Sequence, residues 1–403
     1  MKLLSNNMKE DLLSRHLAQT TPYPIGIEVD RAEGIYIYDT SGKAYIDMIS
    51  GIGVSNIGHG VSEVKEALKA QIDKHLHVMV YGEFRQNAQE RFASLLSSQL
   101  PAQLDTCYFV NSGTEANEAA LKLAKRVTGR TRLIAFKGSY HGSTHGSMSV
   151  SANETKKRAF RPLLPDIYFI GLNNFDELAF IDTSVAAVIL ETIQGDAGVR
   201  SPEIAFLQAL RKKCDETGAL LILDEIQCGM GRCGTLFAYE QFNIIPDILT
   251  LGKALGGGLP IGAFISSRQN MECLTENPML GHITTFGGHP LPCASGEAAL
   301  RYLLDNKLLD QVETKGKLIE DLIGSHPMVK GFRRKGLMMA IDLHNPEQVQ
   351  QLFQNCLENG VLVFWFLSCP DSFRLAPPLT ISESEIKKAC EVIVRELEKI
   401  RVT

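Results

Sequence analysis

Four segments of this 403-residue chain place a reactive side chain directly after a short apolar run. In PDILTLGKALGGG (246–258), Lys253 follows a stretch that belongs in a core. Burial and nearby cations lower an ammonium pKa and release a nucleophilic amine, which is what a Schiff-base lysine needs. Lysine is ordinarily a surface residue, but the three glycines that follow allow backbone to approach a ligand closely. Asp224 ends the run LLILD. A carboxylate there is costly unless it meets a cation or caps a helix; a protonated pyridine nitrogen and an arginine would both serve. In NSGTE (111–115), Ser112, Gly113 and Thr114 open a helical pattern. Their N–H groups, hydroxyls and helix dipole suit a phosphate, and with Glu115 they also suit an ordinary N-cap. In GSYHGS (138–143), Tyr140 offers a ring that could stack on a planar ligand or pack in a core.

Other motifs compete with these. GMGRCG (229–234) matches the dinucleotide fingerprint G-x-G-x-x-G, which would imply a nicotinamide oxidoreductase. That fingerprint should begin at the strand end, and here Asp224 to Cys228 intervene. His141 and His145 stand four apart, but Gly142 occupies the place of the metalloprotease glutamate. Cys228 and Cys233 have no second pair in reach, so the sequence points to no metal site. Neither a G-x-S-x-G nor a P-loop pattern occurs.

Elements must bring the four segments together. The runs 106–110 (TCYFV), 132–136 (RLIAF), 185–190 (VAAVIL) and 219–223 (ALLIL) read as buried strands, too short for helices. Amphipathic helices lie between them. The clearest begins near Glu115 and lines up Ala116, Ala119, Ala120, Leu123, Ala124 and Val127 on one face. This alternation predicts an α/β domain around a mostly parallel sheet, with ligands at the carboxyl ends of its strands. Residues 33–49 read as a hairpin turning at DTSG (39–42). After about 295 come two long helical patterns, strand-like pieces near 337–343 and 361–366, and a charged amphipathic helix. The expected division is a large domain over 51–294 and a small α+β domain built from 1–50 and 295–403. No Pro/Gly/Ser linker marks the boundary.

Composition sets outer limits. Hydrophobic residues make up 44% and charged residues 22%, which excludes wholesale disorder. The net charge of −5 argues against nucleic acid or an anionic membrane as partner. Nine scattered cysteines, an odd number, fit a reduced cytoplasm better than a disulfide framework. The opening MKLLSNNMKEDLLSRHL carries charges where a signal peptide is apolar, and no stretch approaches 18 uncharged apolar residues. Neither a signal peptide nor a membrane span is expected.

Taken together, the segments resemble the class III, ornithine/acetylornithine-type, family of pyridoxal-phosphate aminotransferases. The resemblance runs from about Pro22 to Glu385 and rests on NSGTEANEAALKLA, LLILDEIQCGMGRCGTLFAYE, PDILTLGKALGGGLPIGA and TTFGGHPL, in that order. Asp224 and Lys253 are separated by 29 positions, which suits the family. The resemblance implies a PLP-dependent transferase of fold type I and an amino transfer between an ω-amino acid and a 2-oxo acid. An aminomutase or epimerase of the same family is the alternative.

It also implies roles. Lys253 would hold pyridoxal 5′-phosphate as a Schiff base, and Asp224 would keep its ring nitrogen protonated. Ser112, Gly113 and Thr114 would bind the phosphate. Thr285 would reach the phosphate of a neighbouring subunit, which implies a homodimer. Tyr140 would stack on the ring beside His141, Gln227 would hydrogen-bond the phenolic oxygen, and Glu191 would line the pocket. Arg374, in FRLAPP, would clamp a substrate carboxylate with its bidentate fork. Tyr23, Ser143 and Asp196 would complete the substrate site.

The chain departs from the family at substrate positions. Where ornithine and acetylornithine enzymes carry F-H-G-R, Ser143 stands in place of the arginine. One carboxylate clamp is therefore missing, which weighs against an ornithine-type donor and against 2-oxoglutarate as acceptor. E-P-x-Q-G-E becomes ETIQGD (191–196), so Asp196 is one methylene shorter than the acid that holds the clamping arginine in reserve. His289 replaces the asparagine of G-G-N-P.

Overall fold

The computed structural model describes residues 16–22, 24–80 and 82–400; Tyr23 lies outside them. Three N-terminal strands, β1 (Val29–Glu33), β2 (Tyr36–Asp39) and β3 (Ala44–Asp47), form an antiparallel ribbon. The β2–β3 hairpin turns where DTSG predicts it. Asp39 Oδ1 accepts from Ser41 N at 2.9 Å and Lys43 N at 3.0 Å, closing the turn through its own side chain.

The central sheet has seven strands: β4 (Thr106–Val110), β5 (Arg132–Phe136), β6 (Ile167–Ile170), β7 (Val185–Glu191), β8 (Leu220–Asp224), β9 (Ile248–Leu251) and β10 (Gly262–Ser266). Their order is β4-β10-β9-β8-β7-β5-β6. Only β10 runs against the rest. The four strands read from the sequence are β4, β5, β7 and β8, and the last two each run one residue further, to Glu191 and Asp224.

Alternation along these strands feeds two cores, one on each face. In β8, Leu221 and Leu223 join the larger cluster while Ile222 joins the smaller. Asp224 therefore ends the strand on the Ile222 face. The helix Gly113–Thr128 covers that face. Its buried Ala116, Ala119, Ala120 and Ala124 let it lie close against the sheet. Ser112 caps it at one end and Gly129, at φ 68°, at the other.

Five further strands follow: β11 (Gly331–Lys335), β12 (Met338–Asp342), β13 (Val361–Leu362), β14 (Phe364–Trp365) and β15 (Ser372–Leu375). β13 pairs with β3 in parallel, joining residues about 300 positions apart, and the other four make an antiparallel sheet ordered β11-β12-β15-β14. The helix Pro290–Asp305 runs straight across position 294. The passage from the central sheet to the C-terminal elements is helical, so no linker composition marks it. Among the described residues no helix is long and apolar enough to cross a membrane, and all nine cysteines are free.

Candidate active site

Register alone gathers three of the polar side chains. Glu191 pairs with Asp224, and Asp224 with Thr250, across β7, β8 and β9. The three stand side by side at the carboxyl ends of adjacent parallel strands. Two residues beyond Leu251, Lys253 leaves β9 with φ 47°, in the left-handed region that a lysine rarely adopts. Burial lowers its ammonium pKa and Arg374 adds to this, while the carboxylates of Asp224 and Glu191 oppose it.

Asp224 is gripped by donors. Its Oδ2 accepts from Asn117 Nδ2 at 2.8 Å and from His141 Nδ1 at 2.7 Å, and its Oδ1 from Ile226 N at 3.0 Å. Asn117 is fixed in turn: its Nδ2 also donates to His141 O at 2.8 Å, and its Oδ1 accepts from Thr250 Oγ1 at 2.8 Å. Asn117 and Thr250 went unnoticed in the sequence. Both sit inside motifs that read as ordinary helix and strand, and only the packing of that helix on β8 and β9 makes Asn117 a partner of the carboxylate and Thr250 a partner of Asn117.

The phosphate-type segment lies next to Lys253. A Cβ on Gly252 would come within 3.2 Å of Gly113 Cα, and a Cβ on Gly113 within 2.8 Å of Ile226. The two glycines let the end of β9 touch the start of the helix. Ser112 does serve as N-cap, its Oγ accepting from Glu115 N at 3.3 Å. Thr114 Oγ1 faces Thr144 Oγ1 at 2.8 Å. The N–H groups of Gly113 and Thr114 belong to the first helical turn, which has no partners within the helix.

Tyr140 and His141 follow β5. Tyr140 N donates to Glu191 Oε1 at 2.9 Å, and Gly195 N donates to Glu191 Oε2 at 2.9 Å. Burial pushes the Glu191 carboxyl up to about 7, its neighbour Asp224 adding to the rise. The Tyr140 ring stays 42% exposed, with its hydroxyl 3.2 Å from Ser143 Oγ. Gln227 is half-buried, its Oε1 lying 2.2 Å from where a Cβ on Gly195 would stand.

At the mouth of the site Asp196 collects donors. It accepts from Leu367 N at 3.2 Å, Ser368 Oγ at 2.6 Å and Arg374 at 3.3 Å, with Lys156 Nζ at 3.5 Å. The shorter acid thus still reaches the arginine. Burial alone would push the Asp196 carboxyl up, but Ser368, Lys156 and Arg374 outweigh it and hold the group below its usual range. Arg374 is itself buried, with its guanidinium carbon 4.2 Å from the Phe366 ring centroid and Nε unpartnered.

Thr285 follows Thr284, whose Oγ1 accepts from Asn111 Nδ2 at 3.0 Å. It is exposed, and its carbonyl accepts from His77 Nε2 at 2.9 Å. The dinucleotide-like segment has no room for a phosphate. A Cβ on Gly231 would meet Leu309 at 2.8 Å and Leu379 at 2.9 Å, so 229–234 is a buried turn.

The residues present suit pyridoxal 5′-phosphate. Asp224 is buried among N–H donors, and a protonated ring nitrogen would supply the positive charge it lacks. His141 Nε2 is buried and unpartnered, which leaves a polar atom beside Asp224 for a ligand to satisfy.

Comparison with known proteins agrees with this geometry. A model of class-III aminotransferases matches residues 18–397. The chain is 39% identical to an acetylornithine aminotransferase of Bacillus subtilis, covering 90% of this chain and 93% of that protein. It is 40% identical to an acetylornithine aminotransferase of Methanopyrus kandleri, covering 89% and 90%. Among solved structures, an ornithine aminotransferase from Toxoplasma gondii, which carries PLP at partial occupancy, superposes with a TM-score of 0.88 at 28% identity. That match covers 96% of this chain and 92% of the other. Matched almost end to end in sequence and in fold, the chain belongs to the class-III aminotransferases, PLP-dependent enzymes of fold type I.

Proposed function

We propose that this aminotransferase takes its amino group from an ω-amino acid of the acetylornithine or ornithine type and gives it to a 2-oxo acid. The Arg374–Asp196 pair carries the reading: a buried guanidinium held by a displaceable acid is a carboxylate clamp in reserve. The names of the Bacillus subtilis and Methanopyrus kandleri relatives support the donor. Pyridoxal 5′-phosphate, when bound, supplies a carbonyl for the amine and an electron-withdrawing ring. Lys253 would hold the cofactor through Nζ, and as a free amine it would move a proton from the amine-bearing carbon of the substrate to the cofactor carbon that bears that carbonyl, first as base and then as acid. Asp224 would accept the ring N–H, while Ser112 and the N–H groups of Gly113 and Thr114 would hold the phosphate. Tyr140 would stack on the ring, Gln227 would hydrogen-bond the phenolic oxygen, and Glu191 and His141 would close the pocket. Ser143 would face the substrate.

The purified holoenzyme should show a visible cofactor band that bleaches with N-acetylornithine or ornithine and returns when a 2-oxo acid is added. Turnover with donor alone would assign an aminomutase or epimerase instead. A band that no ω-amino acid bleaches would sink the donor assignment.

We also read the enzyme as a homodimer in which Thr285 reaches the neighbouring site. Support comes from the exposed apolar side chains around it: Met279, Leu280, Ile283 and Phe286, with Leu76 and Val78 beside them. Sedimentation at micromolar concentration should give a dimer, and Thr285→Ala should weaken cofactor binding; a monomer with unchanged affinity overturns this. The division into 51–294 and 1–50 plus 295–403 is supported by the pairing of β3 with β13. The unpaired cysteines support a reducing compartment, the cytoplasm.

A further inference from the structure

The loss of the arginine at position 143 leaves a charge to be found elsewhere. The same excursion of chain after β5 returns to the site at the short helix Glu154–Lys157. Asn153 Nδ2 donates to Ser368 Oγ at 3.2 Å, tying that return to the segment beside Asp196. From there Lys156 extends its ammonium toward Asp196 Oδ2, at 3.5 Å, and over the Tyr140 ring, 5.9 Å from its centroid. Its side chain keeps 38% of its exposure, so it is free to swing.

Two cations thus share one anion. Arg374 approaches Oδ1 of Asp196 at 3.3 Å and Lys156 approaches Oδ2 at 3.5 Å, so one carboxylate bridges them. Asp196 faces both cations, and Glu191 is the other acid that acts on Arg374. The Arg374 Nε, buried and unpartnered, is a further unmet donor in the same place. Such a site is short of an anion. Ser143, whose Oγ is 3.2 Å from the Tyr140 hydroxyl, carries no charge of its own.

We propose that Lys156 is the second carboxylate-reading residue of this enzyme, doing from the Glu154–Lys157 helix what an arginine at position 143 does elsewhere in the family. The inference rests on the amino-transfer reading above. Arg374 takes the carboxylate next to the reacting carbon. Lys156 takes the far carboxylate of a dicarboxylic 2-oxo acid, and Asp196 is released from both as the dianion arrives. A monocarboxylate engages Arg374 alone.

Binding of glutarate and of butyrate to the holoenzyme, followed by calorimetry, tests this without requiring turnover. Lys156→Met should weaken glutarate about tenfold or more and butyrate less than twofold. Lys156→Arg should keep glutarate within about threefold of wild type. Equal weakening of both ligands would reduce Lys156 to a support for Asp196, and glutarate binding that is absent from wild type or indifferent to Lys156→Met would also overturn the assignment. Amino transfer to 2-oxoglutarate and pyruvate is measured on the same preparations. If wild type transfers no amino group yet glutarate still needs Lys156, the functional reading falls and this one stands.

Discussion

Lys253→Ala is expected to abolish amino transfer, with a loss in kcat of about 10⁴-fold or more, since in the proposed mechanism one group is both covalent anchor and proton carrier. The fold survives the change. Removing an ammonium whose charged form burial already disfavours relieves a cost rather than creating one. The left-handed backbone at φ 47° is carried by alanine with the same strain. The melting temperature of the cofactor-free variant should therefore equal or exceed that of wild type. Borohydride reduction followed by mass spectrometry gives the direct check, since wild type should carry the cofactor covalently and the variant should not. Turnover within tenfold of wild type would remove Lys253 from the chemistry.

Asp224 yields the second large effect, and here activity and stability separate. Asp224→Asn keeps the shape but lacks the charge that, in the proposed mechanism, would hold a proton on the ring nitrogen. Loss of a fixed electrostatic partner of this kind is expected to lower kcat by about 10²–10³-fold. Asp224→Ala should add a stability cost. It strips His141 Nδ1 and Ile226 N of their acceptor and Asn117 Nδ2 of one of its two, and each buried orphan costs about 1–3 kcal/mol. The expected order of melting temperatures is wild type, then Asn, then Ala. Steady-state kinetics and thermal unfolding on the same two variants read out both consequences. An alanine variant as stable as wild type would mean that water takes over those donors.

Much of this site was legible before the fold was known. Glu191, Asp224 and Lys253 each follow an apolar run, and such runs become neighbouring parallel strands whose ends coincide. What the sequence withheld depends on closure of the chain. β10 was missed because GAFIS follows Lys253 so closely that it reads as a continuation of the glycine loop. β3 and β13 find each other across some 300 residues, and no local period reports that. Asn117 has the look of a polar residue on a helix until Asp224 stands opposite it. Lys156 reads as one more surface lysine, and its meaning comes from Asp196, 40 positions along the chain. Arg232 gives no hint that it is fully buried, donating to the carbonyls of Leu337 and Pro377.

The consecutive placement of β8, β9 and β10 bears on how the enzyme comes apart and how it can change. These strands are neighbours both in the chain and in the sheet, so Asp224 and Lys253 ride on one sequence-local unit of low contact order. Arg374 and Lys156 arrive from opposite sides of that unit, through β15 and a surface helix. Cooperative opening proceeds by contiguous blocks. A block containing β15 can therefore open while the lysine and its carboxylate stay together. Selection can likewise exchange the residues that choose a substrate without touching the block that performs the reaction.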